Sequence, residues 1–440
     1  MTAIEAAARL AGRRGRVLLH SGEDGDDCGR YSFVSSEPAW TVEARGDSVV
    51  VRDRTGAVES EFRGDPLAAV DELSRACAAT GHPAHPIAIG YLGYGYGRVL
   101  HSKLPPNSRI SDEPDLWFGV YTSVWRRDER TGRAEVLGSH ASSRDRLSAA
   151  LSRPAQIGPP PRLGSLAATP GDDELYARGF ERLREYIAAG DVYQVNLARR
   201  LSAAVLRRGD SLALYQHITN ASAAAYGAVL DLGDTSIVSA SPERFLALTG
   251  DRLETRPIKG TRRRTHRPAQ DIALAAELRS DEKELAEHLM IVDLLRNDLG
   301  RVADIGSVRV DDFARVVELP TLYHLVSTVS CRVTPNISLS QLMGATFPGG
   351  SITGAPKLRA MQIIDELEPW PRGVYTGAIG YVGADGGLDF SIAIRTGVLR
   401  TDRLDVFVGG GVVADSTHTR ELEETEEKAS AWRRAVGALY

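Results

Sequence analysis

The chain has 440 residues, 42% of them apolar and 6% aromatic, which is typical of a globular protein with one large core or two to three domains. Lys and Arg together number 53 and Asp and Glu 58, so the net charge is -5 and a nucleic-acid partner is not expected. No apolar run reaches the roughly 18 residues that a membrane-spanning helix needs, and no membrane partner is expected either.

The N-terminal residues lack the apolar segment of a signal peptide, and we expect the chain to be cytoplasmic. The three cysteines, Cys28, Cys77 and Cys331, lie far apart and include no Cys-x-x-Cys pair. This pattern predicts a reducing compartment and argues against both a disulfide framework and a thiolate metal site.

Three segments differ in composition. Residues 1–151 contain short runs of alternating polarity, at 16–19 and 48–52 for example, separated by Gly and Asp turns, which predict a sheet-rich N-terminal part. Residues 152–173 are rich in Pro, Gly and Ser and show no periodicity, which predicts a linker. Residues 174–440 mix predicted strands with predicted helices and carry the motifs described next.

Lys259 lies in an unusual local context, the run Arg256-Pro257-Ile258-Lys259-Gly260-Thr261. Pro257 lacks the N–H that a strand would donate and Gly260 permits a close backbone approach, so Lys259 is predicted at a strand end beside a turn. Glu243, sixteen residues earlier, brings a carboxylate into the preceding segment. An amine is a nucleophile when burial or cationic neighbours lower its pKa. The alternative is a solvated lysine in a basic turn.

Two predicted helices, at about residues 281–299 and from about residue 419 to the C-terminus, each carry two glutamates three residues apart on one face: Glu284 and Glu287, and Glu421 and Glu424. Two facing carboxylate pairs would suit a hard cation such as Mg²⁺, which accepts carboxylate oxygens and keeps several waters. The alternative is a pair of solvated acidic faces, on one of which Lys428 forms an ordinary ion pair with the glutamate one turn before it.

Glycine-rich segments suggest sites for an anion. Residues 349–354 are predicted to open a helix with Pro356 at its first position, so that free amides and the helix dipole could hold an anion. Gly409-Gly410-Gly411 is predicted to end the strand 403–408, either to bring amides to a carboxylate or to make a sharp turn. Arg395 ends an apolar run and suits either carboxylate capture or a structural ion pair.

The order and spacing of these motifs resemble those of the chorismate-utilising enzymes, the family of anthranilate synthase component I, aminodeoxychorismate synthase component I, isochorismate synthase and salicylate synthase. The resemblance covers nearly all of residues 170–440 and is looser before them. It implies an α+β fold in which two large, mostly antiparallel sheets pack as a sandwich with helices outside. The motifs that carry it are YQVNL, SPERF, PIKGT, EKELAEHLMIVDLLRNDLG, YHL, FPGGSITGAPK, VYTGAIG, AIRT, VGGGVVADS and ELEETEEKA.

The resemblance also implies a role for each candidate residue, with chorismate as the substrate. The implied catalytic residues are Lys259, Glu243, His324 and Gln194. Mg²⁺ would be held by Glu287 and Glu424, with Glu284 and Glu421 orienting its waters. The implied substrate-binding residues are Gly260, Thr261, Tyr375, Arg395, Gly409, Gly410, Gly411, Ser351 and Lys428.

Two positions indicate the branch of the family that the chain most resembles. Isochorismate- and salicylate-forming enzymes use a lysine as the base for water where this chain has Gln194, so ammonia is the expected nucleophile. Anthranilate synthases carry alanine at the position of Lys259. A lysine at this position is the mark of the aminodeoxychorismate branch. The resemblance therefore implies that Lys259 attacks C2 of chorismate as the C4 hydroxyl leaves, and that ammonia then attacks C4 to give 4-amino-4-deoxychorismate, the folate precursor.

A separate partner is expected to supply the ammonia. The ammonium form dominates at neutral pH, and a glutaminase that releases ammonia locally needs a nucleophilic cysteine in a glycine-rich elbow. None of the three cysteines has such a context. We therefore expect a separate glutamine amidotransferase subunit that docks on this chain.

Two alternatives remain open at the level of sequence. One is anthranilate synthase component I with an unusual lysine, and the other, from a different class, is a non-catalytic regulator that binds chorismate or tryptophan. The segments that bind tryptophan in many relatives are altered here, to Leu18-Leu19-His20-Ser21 and within residues 220–227, so feedback by tryptophan is not expected. The intact set of candidate catalytic residues argues against a regulator.

Overall fold

The structure is a computed structural model, and it describes residues 1–22, 29–78, 85–101, 104, 109–222, 224–319 and 322–439. Cys28, and Ala223 within the altered tryptophan segment, lie outside the described residues. In the part of the chain that the structure describes, no helix is both long and apolar enough to cross a membrane.

Helices and strands alternate irregularly along the chain, as expected for an α+β protein. The helices are α1 (Ala3–Arg9), α2 (Pro66–Cys77), α3 (Tyr96–Leu100), α4 (Ala141–Leu151), α5 (Asp172–Ala188), α6 (Ser211–Ala221), α7 (Pro268–Ser280), α8 (Glu282–Gly300), α9 (Leu339–Thr346), α10 (Lys357–Leu367) and α11 (His418–Gly437). The strands are β1 (Val17–Ser21), β2 (Tyr31–Ser35), β3 (Trp40–Arg45), β4 (Ser48–Asp53), β5 (Val58–Arg63), β6 (Pro86–Leu92), β7 (Leu116–Val120), β8 (Ser123–Asp128), β9 (Ala134–Gly138), β10 (Arg162–Leu163), β11 (Gln194–Arg207), β12 (Tyr226–Asp231), β13 (Ser236–Ser241), β14 (Arg244–Thr249), β15 (Arg252–Arg256), β16 (Ile258–Arg263), β17 (Arg309–Glu318), β18 (Leu322–Arg332), β19 (Gly354–Ala355), β20 (Ala378–Gly383), β21 (Leu388–Ile392), β22 (Thr396–Leu399) and β23 (Arg403–Val412).

Two sheets, of 11 and 12 strands within the described residues, form the framework. The first has the order β10-β11-β23-β22-β13-β12-β1-β2-β8-β9, with β19 also paired to β11. The second has the order β16-β18-β15-β14-β21-β20-β6-β7-β3-β4-β5, with β17 also paired to β18. The pairings between the described strands, such as those of β11 with β23 and of β16 with β18, are antiparallel. The predicted fold class, two large antiparallel sheets in an α+β protein, is confirmed.

The two sheets pack face to face through apolar side chains. Val17 and Ile237 of the first sheet and Ile89 and Ile379 of the second belong to one buried cluster between them. A second cluster covers the other face of the first sheet with α1, α4, α6 and α11, and a third covers the second sheet with α2, α8 and α9. Burial of this apolar surface is the main favourable term in folding, and it fixes α8 and α11 beside the sheets.

Both sheets contain strands from both ends of the chain. In the first sheet β1 pairs with β12, and in the second sheet β6 pairs with β20. Residues 152–173 contain β10, and they bury Leu163 and Leu166 in the core that covers the first sheet. The division into residues 1–151, 152–173 and 174–440 therefore remains a description of the sequence, since the strands of the first segment continue both sheets.

The predicted helices lie close to their expected positions. The helix predicted at about 281–299 is α8, and its N-terminus is capped by the Asp281 side chain, which accepts from the amides of Lys283 and Glu284 at 3.1 Å. The C-terminal helix is α11. Pro356 is the N-cap of α10 and not its first residue, so the predicted position of this proline was wrong by one.

Candidate active site

Lys259 lies inside β16, and the predicted turn at Gly260 is a bulge within that strand. Gly260 has φ +64°, and the pairing of β16 with β18 shifts register between Lys259 and Thr261. A residue with a Cβ would be strained at this φ, and its Cβ would approach Glu284 Oε2 to 3.2 Å. The Lys259 side chain is 20% exposed, and its Nζ lies 3.9 Å from Glu287 Oε2. The bulge thus aims Lys259 toward the carboxylates of α8.

The two glutamates of α8 share one face of the helix, as their spacing predicted, and that face lies beside β16. Glu284 Oε1 lies 3.3 Å from an Arg262 nitrogen, and Glu287 contacts Lys259 and Lys283, each at 3.9 Å. Burial raises the pKa of Glu287, although both lysines oppose that effect. Glu287 is therefore a carboxylate within reach of two ammonium groups.

The glutamates of α11 face the glycines of β23. Glu421 is buried, and its Oε1 accepts from Ser416 Oγ at 2.6 Å, while Oε2 has no hydrogen-bond partner within the described residues. Lys428 Nζ donates to Glu424 Oε1 at 2.6 Å and to the Gly409 carbonyl at 2.7 Å. Burial raises the pKa of Glu421; at Glu424 burial acts in the same direction, but Lys428 lowers the pKa overall.

Gly409, Gly410 and Gly411 lie within β23 and do not end it, so the predicted turn after residue 408 was wrong. They pair with residues 196–198 of β11. A Cβ at Gly410 would lie 2.8 Å from Glu421 Oε2, and a Cβ at Gly411 would lie 2.9 Å from Gln194 Nε2 and 3.3 Å from Lys259 Nζ. These glycines therefore let carboxylate, amide and ammonium groups converge over one strand.

Glu243 is the buried carboxyl group of the site. It is 6% exposed, and its Oε1 accepts from Ser351 Oγ at 2.8 Å. Burial raises its pKa to about 7, against the opposing effects of Ser351, Lys259 and Lys428. A carboxyl group with this pKa is part protonated near neutral pH and can donate a proton.

His324, on β18, is held by the bulge of β16. Its Nδ1 lies 3.0 Å from Thr261 Oγ1 and 3.2 Å from the Gly260 carbonyl. Because a carbonyl only accepts, the second contact places a proton on Nδ1. Burial lowers the pKa of His324 to about 4 despite the Gly260 carbonyl, so the ring is neutral near pH 7 and its buried Nε2 carries a lone pair.

Tyr375 and Arg395 lie in irregular backbone beside the first sheet. Tyr375 is 4% exposed and stacks on Phe407, with ring centroids 5.5 Å apart. Arg395 has φ +51° and donates to Ser222 Oγ at 3.2 Å, and burial lowers its pKa. Neither side chain has a carboxylate partner among the described ion pairs, which leaves both able to accept an anionic ligand.

Gln194, at the start of β11, is fully buried, and neither atom of its amide has a hydrogen-bond partner within the described residues. An unpaired amide in the interior costs about 1–3 kcal/mol. Such a group is expected where a ligand completes its hydrogen bonds. An amide neither gains nor loses a proton near neutral pH, so Gln194 can orient a nucleophile but not deprotonate it.

The predicted helix opening at residues 349–354 is also corrected. The structure places a short 3₁₀ turn at Gly350–Ile352 and the two-residue β19 before α10 begins. The amides of these glycines therefore do not form the N-terminus of α10. Instead, this segment places the Ser351 hydroxyl within hydrogen-bond distance of the Glu243 carboxyl group.

The candidate ligands for Mg²⁺ are the four carboxylates of α8 and α11, those of Glu284, Glu287, Glu421 and Glu424. Among the residues that the structure describes, no three His, Cys, Asp or Glu side chains are grouped tightly enough to hold a metal ion as they stand. The oxygen atoms nevertheless suit a hard cation, because Glu421 Oε2 is buried without a partner beside Gly410, and Glu424 lies near the same glycine. The donor set therefore fits Mg²⁺ in its chemistry.

Several buried polar residues of the site were not predicted from the sequence. Lys357 donates to Asp298 Oδ2 at 2.7 Å and to the Thr346 carbonyl at 2.9 Å, which ties the start of α10 to α8. Arg372 and Glu368 form a second buried pair. Lys357 and Asp298 lie within the quoted motifs, whereas Arg372 and Glu368 lie outside those motifs. Two prolines separate Glu368 from Arg372, so helical spacing does not predict that the two residues pair.

In the altered tryptophan segment, β1 pairs with β12. His20 Nδ1 lies 2.8 Å from the Tyr215 hydroxyl, and Ser21 Oγ donates to the Gly29 carbonyl. A Cβ at Gly227 would lie 1.9 Å from the same tyrosine hydroxyl. The side chains of His20 and Ser21 are thus engaged within the chain.

Comparison with known proteins identifies the family of the chain. The model of the chorismate binding enzyme family matches residues 16–434. Aminodeoxychorismate synthase component 1 of Klebsiella aerogenes is 38% identical over 421 residues, which cover 94% of this chain and 92% of that protein. Anthranilate synthase component 1 of Streptomyces coelicolor is 36% identical over 459 residues, which cover 98% and 86%. The crystal structure of anthranilate synthase component I from Streptococcus pneumoniae TIGR4 matches 93% of each chain, at 31% identity and a TM-score of 0.78. The chain belongs to the family of chorismate-binding enzymes.

Proposed function

We propose that this chorismate-utilising enzyme is an aminodeoxychorismate synthase component I, which converts chorismate and ammonia into 4-amino-4-deoxychorismate. The observation that carries the proposal is Lys259, whose amine points at the carboxylates of α8 and lies within 3.3 Å of the Cβ position of Gly411. Relatives named aminodeoxychorismate synthase component 1, at 36–38% identity in three enterobacteria, support the same activity.

In the proposed reaction the lone pair of the Lys259 amine forms a bond to C2 of chorismate. Both ring double bonds shift by one position, the C4–O bond breaks, and Glu243 gives a proton to the departing oxygen, which leaves as water. Ammonia then bonds to C4, both double bonds shift back, and the C2–N bond to Lys259 breaks. The product holds nitrogen at C4, and the excess protons return to solvent and to Glu243.

The other side chains of the site would bind the substrate, ammonia and Mg²⁺. Arg395 and Tyr375 would bind the enolpyruvyl carboxylate beside the amides of Gly409–Gly411, because charged and backbone donors together suit a carboxylate. Gln194 would orient ammonia, and Gly260 and Thr261, both in contact with His324, would lie near the ring carboxylate. Glu287 and Glu424 would hold Mg²⁺, with Glu284 and Glu421 beside them. When bound, Mg²⁺ would act as a Lewis acid and template for the dianionic substrate.

Product analysis tests the proposal. Purified protein is incubated with chorismate, ammonium chloride and Mg²⁺ at pH 8.5, and products are separated by chromatography with and without added aminodeoxychorismate lyase. We expect a product that the lyase converts to para-aminobenzoate. Anthranilate formed without the lyase would overturn the proposal in favour of the second candidate, anthranilate synthase, which the 36% identity to the Streptomyces coelicolor protein supports. Chorismate that remains unchanged would instead favour a binding protein.

The proposal includes a separate glutamine amidotransferase subunit. Its support is the naming of the relatives as component 1, together with the chemical need for neutral ammonia. Cys77 and Cys331 are both buried, and burial raises the pKa of each thiol to about 11, so neither is a reactive thiolate. The purified chain should use ammonium salts better as pH rises and should be inert with glutamine. Glutamine-dependent turnover by this chain alone would contradict the proposed partner.

The metal assignment has its own test, a direct measurement of binding. Mn²⁺ binding is followed by electron paramagnetic resonance, with Mg²⁺ as the competitor. Glu287→Gln and Glu424→Gln should each weaken binding at least about tenfold, since each removes a charged oxygen ligand. Glu423→Gln, on the exposed side of α11, is the matched control and should bind as the wild type does. Unchanged binding in the first two variants would show that the cation lies elsewhere.

A further inference from the structure

Arg372 and Glu368 form the most deeply buried ion pair behind the candidate site. Their side chains are 1% and 4% exposed, and two nitrogens of the guanidinium meet the two carboxylate oxygens at 2.6 and 2.8 Å. Although the residues are four apart, α10 ends at Leu367, and Pro369 and Pro371 lie between them. The helix therefore does not impose this contact, and its two-pronged geometry is set by the surroundings.

The pair completes an open edge of β11. Arg372 Nη2 donates to the Asn196 carbonyl at 2.6 Å, and Glu368 Oε1 accepts from the Ala198 amide at 2.8 Å. These backbone groups lie between the stretches of β11 that pair with β19 and with β10. Buried backbone groups require partners, and here two side chains supply what a neighbouring strand would. The strand that begins at Gln194 is thereby fixed next to the site.

The same guanidinium reaches the two other segments that carry site residues. Arg372 Nη1 donates to the Ile352 carbonyl at 3.0 Å, one residue after Ser351, and to Thr376 Oγ1 at 3.2 Å. Thr376 has φ +59°, which is a strained conformation for a β-branched residue and persists only where neighbours enforce it. Arg372 therefore holds the turn that carries Tyr375.

The ring of Tyr375 needs such support. One face stacks on Phe407, and the Arg372 guanidinium carbon lies 5.7 Å from the ring centroid. Tyr375 is also one of the residues that line a cavity of about 600 Å³. Because the stacking contact covers one face of the ring, we infer that the backbone turn and the guanidinium also set its orientation.

We propose that Arg372 and Glu368 are positioning residues, which set Tyr375, Gln194 and Ser351 relative to one another before chorismate binds. Neither side chain is placed to touch the substrate. The inference rests on the proposed placement of the enolpyruvyl carboxylate against Tyr375. The inference predicts that a substitution in the pair weakens the binding of chorismate, because Tyr375 is displaced, in addition to any loss of stability of the fold.

A double-mutant cycle tests this inference. Arg372→Lys keeps the charge beside Glu368, but one ammonium group cannot reach the Asn196, Ile352 and Thr376 oxygens together. We expect Arg372→Lys to lower kcat/KM for chorismate by about 100-fold, since small misplacements of binding groups have effects of that size. In the double variant with Tyr375→Phe, the increase in KM should be at least about threefold smaller than the product of the increases in the two single variants. Chorismate consumption is the readout, so the result does not depend on which product forms.

Arg16→Lys is the matched control. Arg16 is also buried, with a side chain 6% exposed, and binds Asp210 and Asp231 at 2.7 Å, but it touches none of the candidate site residues. Both lysine variants should lose thermal stability, and only Arg372→Lys should alter KM. Multiplicative effects of Arg372→Lys and Tyr375→Phe, or equal losses in the two lysine variants, would overturn the inference. If the wild type forms anthranilate, the proposed function fails, while the cycle still decides the role of Arg372.

Discussion

Two lysines in the segments that build the candidate site are held in opposite ways. Lys357, at the start of α10, has a side chain only 8% exposed and donates to both Asp298 and the Thr346 carbonyl. Lys259, on β16, has a side chain 20% exposed, and its nearest described carboxylate, Glu287, is 3.9 Å away. Burial lowers the pKa of Lys357, against the opposing effect of Asp298.

The difference is the one expected between a structural lysine and the nucleophile that we propose. The ammonium group of Lys357 is enclosed and has short contacts on two sides, so a substrate would have to displace them. Lys259 has a longer contact, to Glu287, and its side chain is more exposed, which suits an amine that must approach a ligand. Burial by itself therefore does not indicate a nucleophile; freedom from hydrogen-bond acceptors matters as well.

Replacement of Lys259 should have the largest effect on activity. Lys259→Ala is expected to reduce aminodeoxychorismate formation by at least about 1,000-fold, because the covalent step is lost. Thermal unfolding should change little. Lys259→Arg is the control that keeps the charge but not the nucleophile, and it should be equally inactive. Mass spectrometry of wild-type enzyme trapped with chorismate in the absence of ammonia should show an adduct on the Lys259 peptide. Wild-type turnover by the alanine variant would rule out the covalent role.

Glu243 is the proposed general acid, and its replacement should have the next largest effect on activity. Glu243→Gln keeps the size of the side chain but removes the transferable proton, so kcat/KM should fall about 100-fold. In the wild type, kcat/KM for chorismate, measured at a constant concentration of neutral ammonia, should decline as pH rises through about 7, because the raised pKa of Glu243 keeps the acid form present only below that value. That decline should be missing from the pH profile of the variant. A variant profile with the same descending limb would assign the limb to another group.

The loss of the counter-charge of Lys357 should lower the stability of the protein and change kcat little. Asp298→Asn leaves the Lys357 ammonium group buried without its counter-charge, which should cost about 3 kcal/mol in the free energy of unfolding. Urea unfolding measures the change. At low temperature, where the variant stays folded, kcat should remain far closer to wild type than in Lys259→Ala. A loss of kcat as large as that of Lys259→Ala, without loss of stability, would show that the two lysines do not differ in this way.

The sequence predicted the elements that carry strong local signals. The shared face of each glutamate pair on α8 and α11 follows from helical spacing. Pro257 and Gly260 indicated irregular backbone beside Lys259, although the structure has a bulge inside β16 where a strand end was predicted. Both sheets and the fold class followed from the resemblance of the motifs. These features depend on local chemistry or on the order of the motifs along the chain, which the sequence displays directly.

Features that depend on distant contacts were missed or misplaced. Gly409-Gly410-Gly411 resembles a turn in sequence, but ten paired positions with β11 keep it in the strand. The pairing of Arg372 with Glu368 depends on the open edge of β11, which lies 170 residues or more before the pair in the chain. The partial protonation of Glu243 arises from burial by several segments. None of these causes is visible in a window of neighbouring residues.

The hydrogen bond from Ser351 to Glu243 should have the smallest effect, and it tests how finely the acid is tuned. Ser351 Oγ donates to Glu243 Oε1 at 2.8 Å, and this contact lowers the pKa of the carboxyl group below the value that burial alone would give. Ser351→Ala should therefore raise the pKa of Glu243 further, and the decline of kcat/KM should move to higher pH. A hydrogen bond to a charged group contributes about 1.5 kcal/mol, which corresponds to a displacement on the order of one pH unit. Ser340→Ala is the control: this half-buried serine of α9 donates to Asp65 Oδ2 at 2.5 Å and not to Glu243, so its loss should leave the profile unchanged. A displacement toward lower pH in Ser351→Ala would mean that the serine stabilises the protonated carboxyl group instead.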